Sequence, residues 1–177
     1  MASLFLFLIL STIASITSAI RVQNADTPSF YFVAISPGVT SVNSVLVPFM
    51  GGNANINGGG RVIQNYFYQG ALTGTFNNDG QPALRPYIDT GFTSTGSCAK
   101  YGPLSYIEGS TTNKCASFGN FWIAANEENS QLGSRLTFNW QGDFYACGWE
   151  GEIWYKMDPS EGPSDCYPIE LYTVPVI

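Results

Sequence analysis

Carboxylate and aromatic side chains are concentrated together near the end of the chain. Residues 141–177 hold seven acids and one base, whereas residues 20–140 hold six of each, so the last 37 residues carry the whole net charge of −6. Flat rings stack on the apolar faces of sugars, and carboxylates accept hydrogen bonds from hydroxyl groups. The alternative is that the rings are core residues and the acids only keep the protein soluble. The glycan-binding hypothesis assigns the site to Trp149, Glu150, Glu152, Trp154 and Tyr155.

Catalysis by these carboxylates would need two of them opposed across a cleft, as in glycosidases. Glu150 and Glu152 are two residues apart and would share one face of a strand, where like charges raise one pKa. A solvated strand end explains the pair equally well. The chain has no histidine, which excludes a Ser-His-Asp or Cys-His nucleophile and a His-ligated zinc. We therefore predict no catalytic residue, no cofactor and no metal.

One short motif has an enzymatic parallel. Asp89-Thr90-Gly91 follows a hydrophobic residue and resembles the active-site loop of aspartic proteases, which need two such loops to share a proton. The chain holds one copy, and Phe92 follows it where that family has Ser, Thr or Ala. The alternative is a turn in which Asp89 bonds backbone amides and Gly91 adopts a positive φ.

Four cysteines predict two disulfides, as expected for an exported protein. Three pairings are possible, and pairing between neighbours in sequence is the one that we favour. The intervals between the cysteines are too long for the close pairs of a Cys₄ metal site. Under neighbour pairing the bonds are Cys98–Cys115 and Cys147–Cys166.

The first residues have the pattern of a secretory signal peptide. Residues 1–19 contain no charged side chain, and an apolar run gives way to small residues that end at Ala19. The run is too short and too interrupted for a membrane span. We predict a cleaved leader at 1–19, one domain over 20–177, and no membrane association after cleavage. The acidic composition also predicts no nucleic-acid partner.

Short runs of β-branched and aromatic residues, separated by turn-forming residues, predict an all-β fold. Several runs alternate with period two, and no window has a helical apolar stripe. The number of short predicted strands favours a single-domain β-sandwich or closed β-barrel. A faint echo between Phe30–Ala34 and Phe121–Ala125 makes a trefoil-like barrel a minor alternative. The predicted strands are Phe30–Ile35, Val45–Met50, Arg61–Tyr68, Leu72–Phe76, Ala83–Ile88, Leu104–Ile107, Phe121–Ala124, Leu136–Trp140, Phe144–Cys147, Ile153–Met157 and Ile169–Val174.

Three segments predict turns or loops between these strands. Asp79-Gly80 is typical of a tight hairpin turn, and Gln141-Gly142-Asp143 predicts the turn of another hairpin. The Gly- and Asn-rich run at 51–60 ends without the Lys-Ser/Thr of a phosphate-binding loop, so it predicts a flexible inter-strand loop.

The order of several segments resembles the small secreted fungal proteins related to the PhiA cell-wall protein. The matching segments include Gly119–Ala124, Gly142–Cys147 with its Phe-x-x-Cys pattern, Ile153–Tyr155, Cys166 and the closing Ile169–Val174. Phe30–Ala34 and Asn78–Leu84 resemble the opening strand and a hairpin of that family.

The resemblance implies an all-β fungal protein located outside the cell or in the wall, with a structural or developmental role and without known catalysis. It also implies the Cys147–Cys166 bond, whereas Cys98, Cys115 and the 51–60 run depart from the pattern. The oligomeric state stays open. Two functions follow as alternatives: a non-enzymatic wall-associated protein, or a module that binds wall polysaccharide through Trp149, Trp154 and Tyr155. A carboxylate-dependent hydrolase is a more remote alternative.

Overall fold

The computed structural model describes residues 26–37, 45–50, 52–57, 59–76, 83–126 and 132–177. The predicted leader and the predicted Asp79-Gly80 turn lie outside these ranges. Within the described residues the chain forms β1 Phe30–Ile35, β2 Val45–Leu46, β3 Pro48–Met50, β4 Asn53–Ala54, β5 Arg61–Val62, β6 Gln64–Tyr68, β7 Ala71–Thr75, β8 Leu84–Ile88, β9 Tyr101–Glu108, β10 Phe121–Ala124, β11 Arg135–Phe138, β12 Asp143–Cys147, β13 Glu152–Lys156 and β14 Cys166–Pro175.

Eight of these strands close into an antiparallel barrel, which confirms the predicted all-β class. Around the ring the order is β1, β6, β7, β8, β9, β13, β12 and β14, and β14 then pairs with β1. A trefoil consists of three equivalent units, into which eight ring strands do not divide, so that alternative is wrong. The two segments of the faint echo also differ in role, because β1 belongs to the ring while β10 lies outside it.

Alternating side chains of the ring strands fill the interior. On β13, Ile153 and Tyr155 point inward and are 0% and 2% exposed, whereas Glu152 and Trp154 face outward and are half-buried. This alternation follows from the pleat of a strand, which sends successive side chains to opposite faces. The largest fully buried apolar side chains are Phe32, Phe67, Ile88, Leu104, Leu136, Ile153 and Leu171.

The Gly- and Asn-rich run is not simply a loop, which corrects the prediction for 51–60. It contains β4, which pairs with β3 and, through Asn53 and Ser105, with β9. Asn55 then forms an isolated bridge with Glu152 of β13. Ala54 and Asn55 are buried because their small side chains allow this backbone to lie against the barrel wall.

The turn at 139–142 is present, but it does not close a hairpin, and that prediction is wrong. β11 pairs with β10 and β14, while β12 pairs with β13 and β14, so the two strands joined by the turn are not partners. β14 is long enough to bond both of them at different positions. The hairpin of β10 and β11 is thereby left outside the closed ring.

Both disulfides join cysteines that are neighbours in sequence, as predicted. Cys147 and Cys166 face each other directly across β12 and β14, with 4.1 Å between their Cα atoms. Cys98 and Cys115 join two segments that flank β9. Within the described ranges, no helix is long and apolar enough to span a membrane.

Candidate functional site

The outer face of the barrel carries a row of ring side chains across four adjacent strands. Trp154 of β13 lies in register with Pro103 of β9 on one side and Tyr145 of β12 on the other, and Tyr145 lies opposite Pro168 of β14. Residues directly opposite on neighbouring strands share a face. With about 4.8 Å between strands, the row is about 14 Å long. We call this row, in which Trp154 and Tyr145 are flanked by Pro103 and Pro168, the aromatic strip after its two central rings.

Trp154 is held in place by a hydrogen bond at one edge of its ring and by a stacked ring on one face. Its indole Nε1 donates a hydrogen bond to Glu152 Oε2 at 2.6 Å. Its ring stacks on Tyr101, with 6.4 Å between the ring centroids and 27° between the planes. An indole fixed in this way loses little conformational entropy when a second flat surface stacks on it.

Glu152 links the strip to the 51–60 run. One of its carboxylate oxygens accepts the Trp154 indole N–H, and the other accepts a hydrogen bond from Asn53 Nδ2. Asn53 Oδ1 in turn accepts a hydrogen bond from Ser105 Oγ at 2.6 Å. Both oxygens of Glu152 are therefore used to position its neighbours.

Glu150 does not share a strand face with Glu152, contrary to prediction. Glu150 lies in the turn between β12 and β13, and Gly151 separates the two acids with a φ of 64°. This turn packs tightly, because a Cβ on Gly151 would lie 2.4 Å from Cγ1 of Ile56. The two carboxylates are consequently displayed from different backbone elements.

Trp149 occupies the same turn and is 86% exposed. The turn beneath it is braced by the 51–60 run: Ile56 N donates to Gly151 O and Asn57 N donates to Glu150 O, each at 3.0 Å, and Asn57 Nδ2 donates to Trp149 O at 3.3 Å. The structure thus presents an indole to solvent from a backbone that is fixed on two sides.

Tyr155 is separated from the other predicted ligand-binding residues. Its ring packs on Phe138 of β11 in the hydrophobic core, with 4.7 Å between the ring centroids, and its hydroxyl donates to Gln141 O at 2.9 Å. The prediction that Tyr155 contacts a ligand is corrected, because inward residues of β13 alternate with the outward Trp154. Tyr101, which the sequence pattern did not single out, stands beside Trp154 instead.

Charged groups surround the strip. Lys156 is 2% exposed, donates to Pro163 O, and holds its Nζ 5.2 Å from the centre of the Tyr145 ring. Burial raises the pKa of Tyr145, and the nearby carboxylates of Asp143 and Asp158 raise it further. Hydrogen bonds from the Ser160 hydroxyl and amide lower the pKa of Asp158. The carboxylates of Asp143 and Asp158 thus lie close to Tyr145 of the strip.

Asp89 takes part in a structural network. Its Oδ1 accepts a hydrogen bond from Asn113 Nδ2 at 2.7 Å, and Thr90 Oγ1 donates to Cys115 O at 2.5 Å. The expected bonds from Asp89 to backbone amides are replaced by this side-chain contact, and Gly91 does not have the expected positive φ. The motif fixes the segment that follows β8 to the residues around Cys115.

One cavity among the described residues is small. A cavity of about 20 Å³, lined by residues that include Arg135, Phe138 and Glu170, has room for roughly one water molecule. Pockets that enclose small ligands are typically ~300–1,000 Å³. Among the described residues, no group of three or more His, Cys, Asp or Glu is arranged to hold a metal ion.

A second pair of tryptophans lies on β10 and in the turn that follows β11. Trp122 of β10 and Trp140 have ring centroids 5.6 Å apart, and Trp140 is 39% exposed. Trp140 and Asn139 both have positive φ, 57° and 56°, and Gln141 N donates to Phe138 O across the turn. Two consecutive positive φ values are typical of a type I′ turn, whose second central position usually holds glycine. No pattern in the sequence indicated this site.

The comparisons with known proteins give no relative. No family model, no curated protein and no solved structure matches the chain.

Proposed function

We propose that this protein is a secreted, non-enzymatic fungal protein that is retained in the cell wall by binding polysaccharide. The observation that carries the proposal is the aromatic surface on the outside of the barrel: the 86% exposed Trp149 at the end of the β12–β13 hairpin, and the stacked Trp154 and Tyr101 on its outer face. Rings presented in this way offer flat apolar faces to sugars.

The shape of the surface supports a polymer as the ligand. The aromatic strip crosses four strands of the outer face, whereas a monosaccharide site would be an enclosed pocket. The carboxylates of Asp143 and Asp158 lie close to Tyr145 of the strip, and carboxylates accept hydrogen bonds from sugar hydroxyl groups.

Two features support binding without turnover. Both oxygens of Glu152 hold neighbouring side chains, and Asp89 is bonded to Asn113. Two of the three carboxylates that the sequence suggested for chemistry, Glu152 and Asp89, thus have structural partners. The disulfides support an extracellular location, because such bonds persist in oxidising compartments.

Retention on insoluble polymers tests the proposal. The full secreted chain, with both disulfides intact, is passed over chitin, β-glucan and mannan, and we expect one of these polymers to retain it. Trp149→Ala should weaken retention about fivefold, since a stacked ring contributes about 1 kcal/mol. Tyr68→Ala is the matched control, because Tyr68 is 54% exposed on the β6–β7 hairpin, away from the strip. Equal retention of the two variants, or no retention of the native chain, would contradict the proposal.

A further inference from the structure

A row of charged side chains lies directly beside the aromatic strip on the outer face of the barrel. Successive outward residues of one strand are two positions apart, which is about 6.6 Å along the strand. On β12, Asp143 lies two positions from Tyr145 and directly opposite Lys156 of β13. On β14, Glu170 lies two positions from Pro168. A ligand that lies along the strip therefore also borders this row.

Three carboxylates near the strip already have partners within the protein. Both oxygens of Glu152 accept hydrogen bonds from neighbouring side chains. Glu170 forms an ion pair with Arg135, with 2.7 Å between Oε1 and Nη1. Asp158 Oδ1 accepts bonds from the hydroxyl and the amide of Ser160, at 2.7 and 2.9 Å. These three side chains serve to position other parts of the chain.

The carboxylate of Asp143 differs from these three. Asp143 is exposed, and within the described residues no hydrogen bond or ion pair engages its carboxylate. Lys156, which lies opposite, is 2% exposed and donates to Pro163 O instead. The Asp143 carboxylate is close enough to Tyr145 to raise the pKa of that hydroxyl. A ligand stacked on the strip would thus meet an exposed carboxylate at the edge of the ring.

The charge of the surrounding surface favours a cationic ligand. Residues 141–177, which supply three of the four residues of the strip, hold seven acids and one base, the buried Lys156. Two further cations lie in neighbouring segments: Arg135 is paired with Glu170, and Lys100, which immediately precedes β9, is exposed. Seven acids against three bases leave a negative field, which attracts cations and raises their local concentration.

We propose that the strip binds a polysaccharide whose sugars carry free amino groups, such as deacetylated chitin, and that Asp143 accepts a hydrogen bond from the ammonium group. The inference rests on the proposed function, because it names the polymer for the same surface. An ammonium group between a ring and a carboxylate is attracted by both, and its charge-assisted hydrogen bond is stronger than a neutral one. A neutral sugar on the strip keeps the stacking and lacks the ionic contribution.

A matched pair of hexasaccharides tests the inference separately from binding itself. Calorimetry compares the full, disulfide-bonded chain with the hexamer of glucosamine and with chitohexaose, its acetylated and neutral counterpart. The titrations are run in low salt at about pH 5.5, where amino groups are protonated and aspartate side chains are ionised. We expect the glucosamine hexamer to bind about threefold more tightly, which is the size expected of an exposed ion pair. Salt at about 1 M should remove the preference by screening.

Three variants separate the carboxylate from the rings and from net charge. Asp143→Asn should bind the two hexamers equally and should bind chitohexaose as the native chain does. Glu108→Gln is the matched control, because it removes the same charge from an exposed residue of β9 that lies five positions from Pro103, about 16 Å along the strand. It should keep the native preference. Tyr145→Ala should weaken the binding of both hexamers, since both stack on the strip.

The outcomes distinguish the inference from the proposed function. Equal affinity of the native chain for the two hexamers, an equal loss of preference in Asp143→Asn and Glu108→Gln, or equally effective competition by hexalysine would overturn the inference while the proposed function stands. Binding of β-glucan or mannan without binding of either hexamer would have the same meaning. Failure of the native chain to bind either hexamer or any of the polymers would overturn both.

Discussion

Glu152 Oε2 accepts the indole N–H of Trp154 at 2.6 Å, and this bond joins the two residues on which the predicted acidic and aromatic site most depends. Because the other oxygen of Glu152 accepts a hydrogen bond from Asn53, the carboxylate also ties β4 to the barrel. The same side chain thus orients Trp154 in the strip and fastens the segment that braces the Trp149 turn.

Replacing Glu152 by alanine should destabilise the fold. The Asn53 amide and the Trp154 indole would both lose their acceptor, and a buried donor left without an acceptor costs about 1–3 kcal/mol. Glu152→Gln should lose less, because its one amide oxygen still accepts a bond. Urea unfolding measures the difference, and Glu161→Ala, an exposed acid in the loop after β13, is the control. Equal midpoints for Glu152→Ala and Glu161→Ala would show that the tie does not stabilise the barrel.

Removing either disulfide should lower the free energy of unfolding, and the loss should be similar for the two bonds. The bonds close loops of 17 and 19 residues, and loops of this size are stabilised by about 3 kcal/mol in the chain-entropy model. For a chain of this size that corresponds to a fall in Tm of about 6–12 °C. Calorimetry of Cys98→Ser/Cys115→Ser and of Cys147→Ser/Cys166→Ser checks it, and an unchanged Tm in either double variant would contradict the prediction.

Gly102 should not tolerate a side chain. A Cβ there would lie 2.5 Å from Asp89 O, where the segment after β8 crosses β9. We expect Gly102→Ala to lose roughly 1–3 kcal/mol of unfolding free energy. Gly119→Ala is the matched control, since a Cβ added at Gly119 would have nothing within 4 Å. Indistinguishable denaturation curves for the two variants would contradict the close approach.

Stability should fall in alkali. Burial raises the pKa of Tyr87, Tyr106, Tyr145 and Tyr155 above the usual 10.0, and carboxylates add to the effect for all but Tyr106. The unfolded chain releases these protons near pH 10 while the folded chain keeps them. The folded state then binds more protons, so its stabilisation is complete below about pH 10 and declines above it.

Tyr106→Phe tests the origin of that decline. Tyr106 is buried, and its hydroxyl donates to Asn65 Oδ1 at 2.9 Å. The variant should be less stable at neutral pH, yet its unfolding free energy should fall less steeply above about pH 10. Melting curves across this range measure the slope, and a slope identical to that of the native chain would contradict the assignment.

Most of the ring strands could be predicted, because apolar and polar residues alternate along them in the sequence. β1 and β10 have the predicted bounds, and β13 is displaced by one residue. β4 could not be predicted, since Asn53 and Ala54 have no strand preference and pair only because β9 and β13 lie beside them. Closure of the ring likewise depends on pairings between distant segments.

The sequence likewise predicted only part of the candidate site, because the rest depends on pairings between distant segments. Alternation along β13 implies that Trp154 and Tyr155 cannot both face outward, but the sequence does not say which face is the core. Tyr101 stands beside Trp154 through the β9–β13 pairing, although the two residues are far apart in sequence. The tryptophan pair at Trp140 depends on a backbone conformation that its residue type disfavours.

The indole N–H signals of the four tryptophans test the central claim most directly. Single Trp→Phe variants assign the four signals in the ¹⁵N-labelled native chain. The chain is then titrated with laminarihexaose or chitohexaose, whichever corresponds to the polymer that retains it. We expect the signals of Trp149 and Trp154 to shift. Saturable shifts at these two indoles would place the sugar on the β12–β13 surface. Unchanged Trp149 and Trp154 signals at saturating sugar would contradict the account.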